Sequence, residues 1–350
     1  MVVSTTPLHG GPDALGVPQH DFSTNANACG PCPAALAALA QADRTRYPDP
    51  AYTALGAALA DFHGVAPERI VLAASASEFI HRISALAARS GLRRAVVPAH
   101  GYGDYVRAAA LWGLAVQAPP SDAAAPALHW ACEPASPLGG RDGALDAWQA
   151  GAAGADWRVL DCAYAPLLLP PGPSDPPGPA HYPAHDLPDG IWRMYSPNKA
   201  LGLTGVRAAY AIAPFTAVAD GTAQHLRALA PSWPVGADGV ALLSTWTGQG
   251  AQQWLAASLP VLQDWKAQQL ALCRALGWQV LPGSLANFFT ARLPQEVLRE
   301  PGALLAHLRA RGIKLRDCAS FGLPGHVRLG VLAPVAQQAL RAAVRDYHRA

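Results

Sequence analysis

Short apolar runs alternate with helix-patterned stretches over the first two thirds of the chain. Ile70–Ala73, Ala95–Pro98, Leu128–Cys132 and Trp157–Asp161 read as short buried strands, and Ile191–Tyr195 and Arg207–Ala213 return to that character further on. Ser77–Arg89 and Asp104–Trp112 read as helices between them. Strands that are apolar on both sides must be covered on both faces, and parallel strands need crossovers long enough to hold a helix. The pattern predicts an α/β fold with a mostly parallel central sheet. In such sheets ligands bind beyond the carboxyl ends of the strands. The residues just after each run are therefore the first place to look for chemistry.

Residues 40–238 are assigned to this large domain, residues 239–350 to a smaller α+β domain, and residues 1–39 to an N-terminal arm that joins the small domain. From Gly239 to Leu276 the pattern is helical, and Pro260 is expected to kink or break it. Strands are expected near Trp278–Leu281, Asn287–Arg292 and Val327–Val331, with helices near Gln295–Arg311 and Pro334–Arg349. The stretch from Pro166 to Pro188 is too rich in proline for a regular helix and reads as a surface excursion. A chain of 350 residues that is 51% hydrophobic can bury cores for two such domains.

Charge narrows the partners. The formal net charge is +2 with no long run of one sign, so neither nucleic acid nor an anionic membrane is expected as a partner. No apolar run is long enough to span a bilayer, and the opening MVVSTTPLHG lacks both a basic residue and an apolar stretch. A cytoplasmic protein is expected. Cys29, Cys32, Cys132, Cys162, Cys273 and Cys318 are scattered, which argues against a disulfide framework. Cys29-Gly-Pro-Cys32 copies a redox spacing, yet the strand that should precede it is missing, so no redox role is expected. His181 and His185 are four apart in the proline-rich stretch and read as solvated surface; no metal is expected.

Only three of the 26 basic residues are lysines: Lys199, Lys266 and Lys314. A primary amine can bond covalently to a carbonyl, which a guanidinium cannot. Lys199 follows a predicted strand in Tyr195-Ser-Pro-Asn-Lys-Ala-Leu-Gly-Leu-Thr-Gly-Val-Arg207, among hydroxyl and amide groups and with a guanidinium close by. Ala73-Ala-Ser-Ala-Ser-Glu78 ends a strand and opens a helix, where free N–H groups can cradle a phosphate. Asp161 ends another strand, ahead of Cys-Ala-Tyr164, where a carboxylate can hold a pyridine nitrogen protonated. Tyr102, in Pro98-Ala-His-Gly-Tyr-Gly-Asp-Tyr105, offers a ring to stack on a flat ligand. Each segment alone also fits a solvated lysine, a serine cap or an ordinary turn.

Together, in this order, they resemble the pyridoxal-phosphate enzymes of the class I/II aminotransferase type, from about His9 to the C-terminal helix. The resemblance implies pyridoxal 5′-phosphate as cofactor, bound by the large domain. It places the covalent link on Lys199 with Ser196 beside it, and the phosphate against Ala76, Ser77 and Arg207. Tyr102 stacks on the ring, while Asp161 and Tyr164 meet its nitrogen and 3′-oxygen. Lys199, Asp161 and Tyr102 are the expected catalytic groups. Ser136, in Glu133-Pro-Ala-Ser-Pro137, stands where the family usually has Asn, and Asn198 stands where many members have Ser. The cradle lacks the usual Gly and acidic residue. Tyr47, in Arg46-Tyr-Pro-Asp-Pro50, matches a segment that reaches the neighbouring subunit's phosphate, which implies a homodimer.

Within the family the resemblance is to the decarboxylases of L-threonine O-3-phosphate in cobalamin biosynthesis. It is carried by His9-Gly-Gly11, Asp21-Phe-Ser-Thr-Asn-Ala-Asn27, Arg46–Pro50, and Arg311-Gly-Ile-Lys-Leu-Arg-Asp-Cys318 followed by Phe321-Gly. It implies a small phosphorylated amino acid as substrate, held by His9, Asn27, Arg316 and Arg328. An aminotransferase of the histidinol-phosphate type is the alternative; it shares the Tyr-Pro segment and the C-terminal arginine but not the early His-Gly-Gly.

Overall fold

The computed structural model describes residues 9–119, 125–151, 154–169 and 187–349. His181, His185 and most of the proline-rich stretch lie outside the described residues. A two-residue strand, β1 (His20–Asp21), leads to helices α1 (Pro33–Gln41) and α2 (Thr53–His63). The alternating region follows as β2 (Ile70–Ala73), α3 (Ala76–Arg89), β3 (Arg94–Val96), α4 (Gly103–Leu111), β4 (Ala115–Gln117), β5 (Leu128–Cys132), α5 (Ala144–Ala150), β6 (Trp157–Asp161), β7 (Ile191–Tyr195) and β8 (Ala209–Ile212). These strands form one sheet in the order β2-β8-β7-β6-β5-β3-β4. Only β8 is reversed, pairing antiparallel with both β2 and β7. The other strands point one way, so their carboxyl ends share one edge of the sheet.

Strand alternation sends side chains to two helical layers. Val71, Ala73, Val159, Met194, Ala209 and Ala211 pack under α3 and α4. Ile70, Leu160, Ile191, Tyr195, Tyr210 and Ile212 face the opposite layer with α1 and α2. The expected mostly parallel, doubly covered sheet is the one observed.

The chain continues through α6 (Phe215–Ala219), α7 (Thr222–Ala228), α8 (Ala237–Trp246) and α9 (Gln249–Ala275). Pro260 does not break the helix: α9 runs through it, and the interruption falls at Thr247–Gly248 instead. Leu255 and Leu262, on either side of the proline, are buried in one core, and that packing outweighs the lost backbone hydrogen bond. Leu242, Leu243, Trp246 and Leu255 share this core with α1 and α2, whereas Cys273 belongs to a separate C-terminal core. The change from one core to the other therefore falls within α9.

Beyond it come β9 (Gln279–Val280), β10 (Phe288–Arg292), α10 (Pro301–Ala310), β11 (Ile313–Lys314), β12 (Arg316–Asp317), β13 (His326–Gly330) and α11 (Pro334–Tyr347). α10 starts at Pro301 rather than near Gln295, because proline is favoured at the first helical position. A four-stranded antiparallel sheet runs β12-β13-β10-β9, and β1 pairs in parallel with β11, tying the N-terminal arm to this unit. Among the described residues no helix is long and apolar enough to cross a membrane.

Candidate active site

The turns beyond the carboxyl ends of β2, β5, β6 and β7 open into a cavity of about 570 Å³. That volume suits a cofactor with a small substrate. The far wall comes from β12, β13 and the N-terminal arm. Of the residues singled out from the sequence, Lys199, Asp161, Tyr102, Ala76, Ser77, Ser136, Tyr164, Ser196, Arg207, His9, Arg316 and Arg328 all line it.

Asp161 is buried at the end of β6. Its Oδ1 accepts the Ala163 N–H at 2.9 Å and its Oδ2 accepts the Tyr105 hydroxyl at 2.6 Å. Burial raises its pKa, while the Tyr105 hydrogen bond, Lys199 and the Ala163 N–H pull it back down. Lys199 Nζ donates to Ser196 Oγ at 3.1 Å and lies 5.5 Å from the Tyr164 ring centre. Burial lowers its pKa, and Arg207 lowers it further against the opposing pull of Asp161. A lysine with a lowered pKa has a larger neutral, nucleophilic fraction.

The turn after β2 opens a helix, as the sequence predicts. Ser75 caps α3, its Oγ accepting the Glu78 N–H at 3.1 Å, and Ala76 and Ser77 form the first turn. Tyr102 sits at the N-cap position of α4 and shares a 3.1 Å hydrogen bond with Ser77 Oγ, which ties its ring to the start of α3. Arg207 is exposed at the cavity edge, and its side chain makes no hydrogen bond or ion pair among the described residues.

Two residues fall elsewhere. Asn27 is buried off the cavity: its Nδ2 donates to Ser258 Oγ at 2.8 Å and to the Ala200 carbonyl at 3.2 Å, and its Oδ1 accepts the Cys29 N–H. It clamps the arm to α9 and to the turn after Lys199. The neighbouring Asn25 lines the cavity in its place. Its buried amide lies near the Tyr164 phenol, yet neither of its polar atoms has a partner in hydrogen-bond geometry. Tyr47 is 76% exposed and stacks on Trp233 with ring centres 4.2 Å apart, away from the cavity of its own chain.

The wall built by β12 and β13 holds an arrangement that sequence spacing does not reveal. Arg316 and Arg328 face each other directly across β12 and β13, and both are buried. Burial, with Arg328 opposite, lowers the Arg316 pKa. Arg328 Nη1 donates to Ser136 Oγ and its Nη2 to the Ser23 carbonyl, each at 2.9 Å, while its Nε has no partner. Ser136 is thus tied to Arg328 across the cavity that both residues line. The His9 ring lies 5.9 Å from that of Tyr102. Sequence reasoning missed Tyr105 and Asn25; Tyr105 lies one helical turn beyond Tyr102, and that i, i+3 spacing was the available signal.

Cys29 and Cys32 are both free, and burial raises the Cys29 thiol pKa, the reverse of an activated redox thiol. Among the described residues there is no cluster of metal-ligating side chains.

A helix start next to an arginine, a stacking ring, a buried lysine and a buried carboxylate fit a flat phosphorylated aldehyde with a ring nitrogen. The unpartnered Asn198 Oδ1 is a further buried polar atom at this wall that a bound group could satisfy. Residues 17–128 and 156–346 match the family described as aminotransferase class I and II, and the chain belongs to it. It is an enzyme of the pyridoxal-phosphate-dependent kind, and the family and fold support pyridoxal 5′-phosphate as cofactor.

Among its relatives is a histidinol-phosphate aminotransferase of Jannaschia sp. (strain CCS1), 27% identical over 332 residues, covering 89% of this chain and 87% of that protein. The structure of histidinol-phosphate aminotransferase from Sinorhizobium meliloti, in complex with pyridoxal-5′-phosphate, superposes with a TM-score of 0.79 at 22% identity, over 98% of this chain and 96% of that one. L-threonine-O-3-phosphate decarboxylase from Porphyromonas gingivalis gives 0.75 at 21% identity, over 94% and 99%. At these identities the two structures share the fold.

Proposed function

We propose that the chain decarboxylates L-threonine O-3-phosphate to (R)-1-aminopropan-2-yl phosphate. The observation that carries this reading is the buried pair Arg316 and Arg328, opposite one another across β12 and β13, with His9 on the same cavity. Like charges placed directly opposite repel. A substrate with two anionic ends relieves that repulsion, and its phosphate is the end held more firmly.

The cofactor supplies an electron sink for the pair left when a bond to Cα breaks. This chain's residues do the rest. With the cofactor bound, Lys199 would anchor it, Asp161 would hold the proton on the ring nitrogen, and Tyr102 would fix the ring plane. Ala76, Ser77 and Arg207 would hold the cofactor phosphate, and Tyr164 and Ser136 would meet the 3′-oxygen. His9, Arg316 and Arg328 choose the bond that breaks. Gripping the substrate phosphate firmly leaves the carboxylate as the group free to depart. The enzyme acts as a homodimer in which Tyr47 serves the partner's site.

The second reading is an aminotransferase of the histidinol-phosphate type, favoured by the names of the sequence relatives. Incubation with threonine phosphate and no keto acid separates the two. Release of carbon dioxide and the amino-alcohol phosphate is expected. Turnover that needs a keto acid and yields its amino acid replaces the decarboxylase with the aminotransferase.

A further inference from the structure

The Tyr105–Asp161 hydrogen bond lies beneath the cavity, and none of the roles above accounts for it. The Tyr105 ring is fully buried, stacked on Trp130 with centres 4.6 Å apart at an interplanar angle of 13° and set edge-on to Tyr102 at 5.9 Å. Two aromatic contacts thus fix the direction of its hydroxyl, which donates to Asp161 Oδ2 at 2.6 Å. The Ala163 N–H holds the other carboxylate oxygen at 2.9 Å.

We infer that Tyr105 is a positioning residue: it fixes the orientation of the Asp161 carboxylate and keeps the shared proton on the cofactor ring nitrogen. The inference rests on Asp161 as the partner of that nitrogen. A donor on a carboxylate lowers its affinity for a further proton. Where a carboxylate and a pyridine nitrogen share one proton, a second donor on the carboxylate moves that proton toward the nitrogen. Burial of Asp161 works the other way, favouring the neutral acid. Lys199, Cys132, Cys162 and Tyr164 also act on Asp161 electrostatically. Of these neighbours, Tyr105 is the one whose side chain donates a hydrogen bond to it, and that bond is the largest of the influences opposing burial. Tyr102 and Tyr105 then divide the work on one helix: the first meets the face of the ring, the second acts on its nitrogen through Asp161.

The test uses the holoenzyme loaded with cofactor labelled with ¹⁵N in the ring, comparing wild type with Tyr105→Phe and Asp161→Asn. Tyr105→Phe keeps the stack on Trp130 and removes only the hydroxyl. Its ring-nitrogen resonance should move toward the unprotonated position, and kcat should fall about 10- to 100-fold, the equivalent of one hydrogen bond to a charged group, with KM little changed. Fluorinated tyrosines of graded acidity at position 105 should move the resonance in proportion to the acidity of the phenol; they keep the fold should Tyr105→Phe fail to. If Asp161→Asn moves the resonance while neither Tyr105→Phe nor the graded series does, the inference is overturned and the placement of Asp161 stands. If no variant moves it, the inference falls together with that placement.

Discussion

Arg328→Gln tests the substrate side of the site most directly. In the structure, Nη1 and Nη2 of Arg328 each spend one N–H on the protein, at Ser136 Oγ and the Ser23 carbonyl, and Nε is uncommitted. Nε and the remaining Nη hydrogens leave room for two contacts to a substrate anion. At roughly 1.5–3 kcal/mol for each hydrogen bond to a charged group, their loss bounds the effect at about 3–6 kcal/mol. Arg316, directly opposite, can take over part of the anion, and removing one of two facing charges relieves their repulsion. Both effects pull toward the lower end. The expected loss in kcat/KM for threonine phosphate is therefore about 3 kcal/mol, or about 100-fold. The cofactor absorbance should be unchanged, because none of the residues assigned to cofactor binding is altered. Steady-state assays of carbon dioxide release across a range of substrate concentrations measure the effect. A loss below threefold would refute the argument that the arginine pair binds the substrate, and loss of cofactor would show that Arg328 acts through Ser136 instead.

Three further outcomes follow from the same geometry. Borohydride should fix the cofactor to a peptide containing Lys199, and Lys199→Ala should abolish that labelling; a label on Lys266 or Lys314 refutes the assignment. If Tyr47 serves the partner's site, Tyr47→Phe should weaken cofactor binding about tenfold, the equivalent of one hydrogen bond to the charged phosphate; mixed dimers of Tyr47→Phe with Lys199→Ala should regain one intact site, which an action within one chain would not allow. Burial, with Arg193 nearby, lowers the pKa of His63 from 6.5 to about 4. Between those values the unfolded chain binds a proton that the native chain does not, so stability falls as pH drops through that window. His63→Gln should flatten that part of the urea-unfolding profile against pH, and an unchanged slope would exclude His63 as its source.

The residues that attach to strand ends were legible from sequence because the cause is local. Short apolar runs mark the strands, and Asp161, Lys199 and the Ser75–Ser77 turn sit within a few residues of a run that had to be buried. Chain direction then carries them to one edge of the sheet. What depends on packing between distant segments was not legible. Asn25 and Asn27 lie two apart in one irregular arm, and contacts with Ser258 on α9 and the Ala200 carbonyl turn Asn27 away from the cavity. Pro260 reads locally as a break, yet the core on either side of it keeps α9 whole. Arg316 and Arg328 are twelve residues apart, and it is the register of β12 on β13 that makes them face each other. The Tyr105–Asp161 bond joins residues 56 positions apart, from the helix after one strand to the end of another. Local patterning determined which groups the chain offers at its strand ends; long-range packing decided which of those groups meet, because contact between distant segments is set by the whole core.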